Sequence, residues 1–347
     1  MHASLRFAPL LALLLACDDG APPPNPEPRG APITAPAGAW TWVPLAGAVC
    51  ANGAPTGIGV NLSDASPNVA VFFQGGGACW NEETCYLDPI AASIESGFGA
   101  EDFERPDAAL FDRDAPGNPV ADWSFVFVPY CTGDLHAGNR SARYGGRRTE
   151  HRGYRNAALM LERLVATRPG AARILLTGAS AGGFGATFNL AATRAAFPGA
   201  RVDLLNDSGH FLSPPALPAV RLSLWSDAWA LAEAFPSDCP GCRADLGAYE
   251  DYLVAQDPSA RVALLTFAVD PVIAEYFDVE QPAFREGLAA RTAAVANAPN
   301  AAHFIAPGEG HTFSEDLAGV AAGGTTGMDF VRAMLSDDAA WETVAPE

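Results

Sequence analysis

Ile174-Leu-Leu-Thr-Gly-Ala-Ser-Ala-Gly-Gly-Phe-Gly185 decides how the chain is read. A short apolar run ends at Thr177, a Gly-Ala-Ser-Ala-Gly turn follows, and a helical spacing of Phe184, Ala186, Phe188 and Leu190 begins. Strand, turn and helix in that order are the setting in which Gly-x-Ser-x-Gly forms a nucleophile elbow, with the serine at the tip of a sharp, strained turn. Glycines beside the serine let strand and helix approach with no Cβ between them. The helix that starts there aims its first free N–H groups at any anion forming beside Ser180. With 34 glycines in 347 residues the pentapeptide alone is a weak motif, and its context gives it weight.

Working outward, near-continuous apolar segments at 58–62, 69–73, 123–128, 202–205, 262–267 and 303–306 join 174–177 as expected strands. Such runs suit strands buried on both faces of a mainly parallel sheet. Helical patterns fall between them at 154–167, 184–196, 218–234, 281–296 and 326–335. The alternation predicts an α/β fold, a doubly wound sheet flanked by helices. The stretch 213–259, with Trp225, Trp229 and a Cys-Pro-Gly-Cys loop, is expected to form a small helical cap.

Apolar content of 49% and charged content of 18% fit a globular chain with a sizeable core. A formal charge of −19 argues against nucleic acid and against anionic membrane surfaces as partners. Residues 1–16 read as a secretory leader, with Arg6 before the apolar Phe7 to Leu15 and Leu14-Leu-Ala-Cys17 closing it. That ending resembles the lipobox of bacterial lipoproteins, which makes Cys17 the expected lipidated anchor in a bacterial membrane. Residues 17–38 hold many prolines and almost no sizeable apolar side chain, so an extended tether is expected. The catalytic domain is expected over 39–338, with a tail at 339–347.

Six further cysteines remain: Cys50, Cys79, Cys85, Cys131, Cys239 and Cys242. An even count in an exported chain implies disulfides, with about fifteen connectivities open. Proximity favours Cys79–Cys85 and Cys239–Cys242, which leaves Cys50 for Cys131. A metal site at Cys239-Pro-Gly-Cys242 lacks a second Cys-x-x-Cys or paired histidines, so no metal is expected.

A serine nucleophile needs a base, an orienting carboxylate and oxyanion donors, and loops at the carboxyl ends of strands are where they gather. His311, in Ala306-Pro-Gly-Glu-Gly-His-Thr-Phe313 after the last strand, is the expected base, with His210 as runner-up. Asp270 ends Leu264-Leu-Thr-Phe-Ala-Val-Asp270 and is the expected carboxylate, with Asp207 as its rival. Both aspartates have the ordinary alternative of capping a turn or helix. Val71-Phe-Phe-Gln-Gly-Gly-Gly-Ala-Cys-Trp80 runs a strand into three glycines, and the amides of Gly76, Gly77 and Ala181 are the expected oxyanion donors.

Gln74-Gly-Gly-Gly-Ala-Cys-Trp-Asn-Glu-Glu-Thr-Cys85, Pro129-Tyr-Cys-Thr-Gly-Asp134, the Ser180 elbow, Asn206-Asp-Ser-Gly-His210 and Gly310-His-Thr-Phe313 follow one another in this order. Together they resemble the pectin acetylesterase family, which also holds the animal Wnt deacylase Notum, over roughly residues 40–338. The resemblance implies an α/β-hydrolase-like fold with no cofactor, a triad on Ser180, Asp270 and His311, and disulfides Cys50–Cys131 and Cys79–Cys85. It also directs attention to Trp80, Asp134, Asp207 and His210 as pocket residues. Gly77 stands where the animal deacylase resembles Gly-Gly-Trp, so acyl specificity does not carry over. An acidic polysaccharide would be repelled unless Arg140, Arg143, Arg147 and Arg148 face it.

The expected function is hydrolysis of short acyl esters, with O-acetyl groups on a polysaccharide or an aryl alcohol as leading substrates. The alternatives are a lipid or amide deacylase with the same triad, and a non-catalytic carbohydrate-binding lipoprotein.

Overall fold

A computed structural model describes residues 30–346. The expected leader at 1–16, the anchor Cys17 and the tether as far as residue 29 lie outside the described residues. The chain opens with β1 (Thr41–Val49), β2 (Pro55–Asn61), β3 (Val69–Phe73) and β4 (Ser124–Val128). A hairpin of β5 (Arg140–Tyr144) and β6 (Arg147–His151) precedes α1 (Gly153–Thr167), β7 (Arg173–Ala179), α2 (Ala181–Phe188), α3 (Leu190–Ala196) and β8 (Arg201–Asp207). Then come α4 (Ala219–Trp229), α5 (Leu246–Gln256), β9 (Val262–Val269), α6 (Pro271–Phe277), α7 (Gln281–Val295), β10 (Ala301–Glu309), the short β11 (Ala321–Ala322) and β12 (Thr325–Thr326), and α8 (Gly327–Leu335).

Eight strands form one sheet in the order β1-β2-β4-β3-β7-β8-β9-β10. β2 runs antiparallel to both neighbours, and every pairing from β4 to β10 is parallel. This is the mainly parallel, helix-flanked sheet of an α/β-hydrolase-like fold. Because side chains alternate along a strand, each inner strand feeds two cores. Val69, Val71 and Phe73 of β3 join the helices α1 to α7, while Ala70 and Phe72 join α8 and the loop that carries Phe98, Phe111 and Trp123. Both faces are dry, which is why these strands read as unbroken apolar runs.

Several details differ from the sequence reading. The expected helix at 184–196 is two helices, because Asn189 turns its amide back onto the Gly185 carbonyl (2.8 Å) and the His136 carbonyl (3.0 Å) and breaks the ladder. The stretch 140–151, which has no apolar run and no expected strand, is a hairpin closed by Gly145 and Gly146, both at positive φ. The region 213–259 is helical as expected, holding α4 and α5. Its helix α5 is capped by the Asp245 carboxylate, which accepts from the Gly247 and Ala248 amides.

Residues flanking the expected domain pack against it. In the tether, Ile33 is buried and its amide donates to Thr167 Oγ1 at 2.8 Å. In the expected tail, Trp341 packs on Phe330, and Val344 exchanges backbone hydrogen bonds with His303 and Ile305 of β10. An apolar side chain at each end gives the flanking segment a reason to dock.

Three disulfides join Cys50–Cys131, Cys79–Cys85 and Cys239–Cys242. The first links residues 81 positions apart and ties the end of β1 to the loop after β4. On the chain-entropy estimate such a closure stabilises the fold by about 4 kcal/mol. The double variant Cys50→Ser with Cys131→Ser should therefore lose about 4 kcal/mol of unfolding free energy in urea titrations. A loss below about 1 kcal/mol would contradict this assignment.

Candidate active site

β7 ends at Ala179, α2 begins at Ala181, and Ser180 between them has φ 57° and ψ −120°. A serine in that left-handed region costs about 1–3 kcal/mol and persists only where its surroundings hold it. Here the Ser180 amide donates to the Asp207 carbonyl at the end of β8 (2.8 Å). The neighbouring backbone comes so close that side chains are excluded. A Cβ on Gly182 would run into the Phe73 carbonyl, one on Gly178 would stand 2.6 Å from the same oxygen, and one on Gly75 2.5 Å from the Ala179 carbonyl. The two glycines of the pentapeptide are thus where α2 rests on the end of β3.

Asp270 follows β9 and caps α6, with Pro271 in the first turn. Its buried carboxylate accepts from the Ile273 amide (3.0 Å) and from His311 Nδ1, with Oδ2 at 2.9 Å and Oδ1 at 3.1 Å. This fixes the proton on Nδ1 and leaves the lone pair on Nε2. Nε2 is buried and has no hydrogen-bond partner among the described residues, Ser180 Oγ included. Ser180 and His311 line one cleft of about 580 Å³ together with Gln74, Gly75, Gly76 and Gly77. Hydrogen bonds of this kind commonly tighten only when substrate is present.

The rival carboxylate, Asp207, does a different job. Its Oδ2 accepts from the Phe313 (3.1 Å) and Ser314 (2.8 Å) amides, and the adjacent Ser208 hydroxyl donates to the His311 carbonyl. The pair therefore holds the loop that presents His311. Burial pushes the Asp207 carboxyl up to about 6, against the pull of those amides.

The glycine loop is held from behind. Gln74 donates its amide to the Val128 carbonyl and accepts the Tyr130 amide on its side chain, both at 3.0 Å. Its carbonyl accepts Nε2–H of His136 at 2.9 Å. His136 lies between Phe73 and Tyr130, and burial depresses its pKa to about 4. Gly76 and Gly77 both have positive φ, 142° and 73°. A Cβ on Gly77 would meet the Ile90 carbonyl and the Tyr276 hydroxyl, which hydrogen-bond each other. The Cys79–Cys85 bridge and a 2.8 Å bond from Trp229 Nε1 to the Cys79 carbonyl anchor the loop's far end.

A narrow recess shares Ser180, Gly77 and Tyr276 with the cleft and adds Ala181, Trp225 and Phe277. Its free space is about 10 Å³. That admits one water-sized group.

The residues expected as pocket lining lie elsewhere. Asp134 is buried, accepting from the Gly153 amide (2.7 Å) and the Thr132 hydroxyl (2.6 Å). His210 is buried with both ring nitrogens engaged, by the Ser208 carbonyl and the Thr266 hydroxyl, and burial lowers its pKa to about 4. Neither they nor Asp207 lines the cleft, because each satisfies buried backbone or hydroxyl groups. Trp80 lines a second cleft with Arg140, Arg143 and Arg148, and Arg147 pairs with Glu95. The arginine cluster therefore does not line the Ser180 cleft. Tyr276, which abuts Gly77, and the carboxylates Asp102, Glu104, Asp107 and Glu315 do line it, and the sequence reading missed them. The run from Glu101 to Asp107 was a visible acidic signal.

The buried titratable groups set a sign for acid stability. His136 and His210, near 4, and His303, near 3, stay neutral when folded but take up protons near 6.5 once unfolded, so each removes stability as pH falls below about 6.5. Asp207, near 6, and Glu250, near 7, are raised by burial and act in the opposite sense over the same range. These histidines, joined by His151, whose pKa burial also lowers, outweigh the two carboxyls. Lowering pH from 6.5 to 4.5 should reduce unfolding free energy by about 1 kcal/mol per pH unit. A urea midpoint that rises over that range would contradict it.

A family model described as pectinacetylesterase matches residues 40–226, a span holding Ser180, the glycine loop and the cysteines of the first two disulfides. It stops short of Asp270 and His311. The palmitoleoyl-protein carboxylesterase notum1' of Xenopus laevis is 29% identical over 180 residues, 47% of this chain and 35% of that protein. The palmitoleoyl-protein carboxylesterase NOTUM of Homo sapiens is 28% identical over 179 residues, 47% of this chain and 34% of that protein. The matched region spans about a third of the length of these curated relatives. With more than half of its length inside the family model, the chain belongs to the pectinacetylesterase family.

Proposed function

We propose that the chain is a serine carboxylesterase that removes short acyl groups, acetyl above all, from an alcohol. One observation carries the reading: Ser180, strained at the tip of its turn, shares a cleft with a histidine that Asp270 holds by Nδ1 and whose Nε2 is free. Ser180 Oγ attacks the acyl carbonyl as its proton passes to Nε2 of His311. The oxyanion is held by the amides of Gly76, Gly77 and Ala181, the last being the first amide of α2 and lacking an intrahelical acceptor. Collapse breaks the ester bond, and the alcohol leaves with the proton from Nε2. Water then gives a proton to Nε2, its oxygen attacks the acyl-serine, and the carboxylic acid is released with Ser180 restored.

The curated relatives are named for palmitoleoyl esters, which raises a long-acyl reading. The recess beside Ser180 supports the short one, since Trp225 and Phe277 leave space for about a methyl group. The disulfides support export, and we propose that Cys17 anchors the mature chain in a bacterial envelope through the tether after it.

With p-nitrophenyl esters, kcat/KM should be highest for acetate and fall at least tenfold by octanoate, with Ser180→Ala abolishing hydrolysis and Asp270→Asn reducing kcat about 10³–10⁴-fold. Undiminished hydrolysis in Ser180→Ala would overturn the proposal, and a preference for octanoate would replace it with the long-acyl reading.

A further inference from the structure

The cleft beside Ser180 has a floor and a rim of different chemistry. Phe72, Phe98 and Phe127 form a buried aromatic floor. Asp102, Glu104, Asp107 and Glu315, all exposed, stand along its wall. The single cation among the lining residues, Arg105, has its charge turned to Asp112, 3.3 Å away and outside the lining. No ion pair engages any of the four carboxylates among the described residues. Arg140, Arg143 and Arg148 line the separate cleft with Trp80.

With the acyl group in the narrow recess lined by Trp225 and Phe277, this larger cleft takes the alcohol half of the ester. Low-dielectric aromatic walls beneath one sign of charge focus the field, which raises the local concentration of cations and lowers that of anions. The aromatic faces add attraction for a weakly hydrated ammonium group. The chain's overall charge of −19 acts in the same direction.

We propose that the enzyme selects esters by the charge of their alcohol, favouring acetyl esters of cationic alcohols such as amino alcohols or amino sugars and disfavouring anionic ones such as uronate chains. The proposal rests on the esterase reading and names the substrate class of that same site. Asp102, Glu104, Asp107 and Glu315 are its specificity determinants. They touch the leaving group's surroundings and take no part in the acyl chemistry.

The test uses three acetyl esters of similar size on the whole chain: acetylcholine, its neutral isostere 3,3-dimethylbutyl acetate, and 4-acetoxybutanoate. At low salt kcat/KM should fall in that order, with the cation exceeding the anion by about tenfold or more. The ratio should shrink severalfold as ionic strength rises from about 0.02 to about 0.5 M. It should also shrink severalfold in the triple variant Glu104→Gln, Asp107→Asn, Glu315→Gln, whose substituted side chains are solvent-exposed. Equal or reversed rates at low salt, or a ratio that neither salt nor the triple variant moves, would overturn the proposal. Hydrolysis of p-nitrophenyl acetate through Ser180 in the same preparation would show that the esterase reading survives that failure. Its absence would sink both.

Discussion

The site depends on one close approach: α2 comes to rest against the carbonyl at the end of β3, with only glycine between them. Gly182 and Gly178 leave no room for a side chain against Phe73, and that contact turns the chain so sharply that Ser180 is left at positive φ. The cost falls on one residue and is met by the packing of a helix whose every side chain is buried. Strand β3 then continues into the glycine loop, so the segment that receives α2 also carries Gly76 and Gly77, the proposed oxyanion donors. A single backbone contact thereby sets Ser180 relative to those glycines.

The remaining parts are positioned from beneath by buried polar groups. His136 fixes Gln74 at the start of the glycine loop. Asp207 and Ser208 fix the loop that carries His311. Asp270 fixes the imidazole and caps α6. Asp207 is the last residue of β8, Asp270 directly follows β9, and His136 comes from the loop after β4, so all three meet at the edge where a doubly wound sheet collects side chains from several strands. Asp207 and His210, which looked like pocket residues in the sequence, are buried parts of the scaffold, and their pKa shifts follow from that burial.

Much of the fold was legible because strands buried on both faces have few polar interruptions, none in 69–73 and Thr266 alone in 262–267. Strand β1 escaped notice because Pro44 interrupts it and it sits at the sheet edge, where proline is tolerated. The β5–β6 hairpin was hidden by its arginines, although Gly145-Gly146 was a usable turn signal. Ser180, Asp270 and His311 were nameable because each follows an apolar run in the expected chain order. The lining of the cleft was not. Asp102 and Glu315 are separated by most of the chain and meet only through the fold, and Trp225 reaches Ser180 from a helix that no motif links to the elbow.

In the proposed mechanism Ser180 is the nucleophile between a small recess for the acyl group and a wide acidic cleft for the alcohol. Covalent labelling tests that centre most directly. A fluorophosphonate probe followed by peptide mass mapping should modify a single site, Ser180, with labelling slowed when His311 is replaced by Gln. Absence of labelling, or a label on any other residue, would contradict the account.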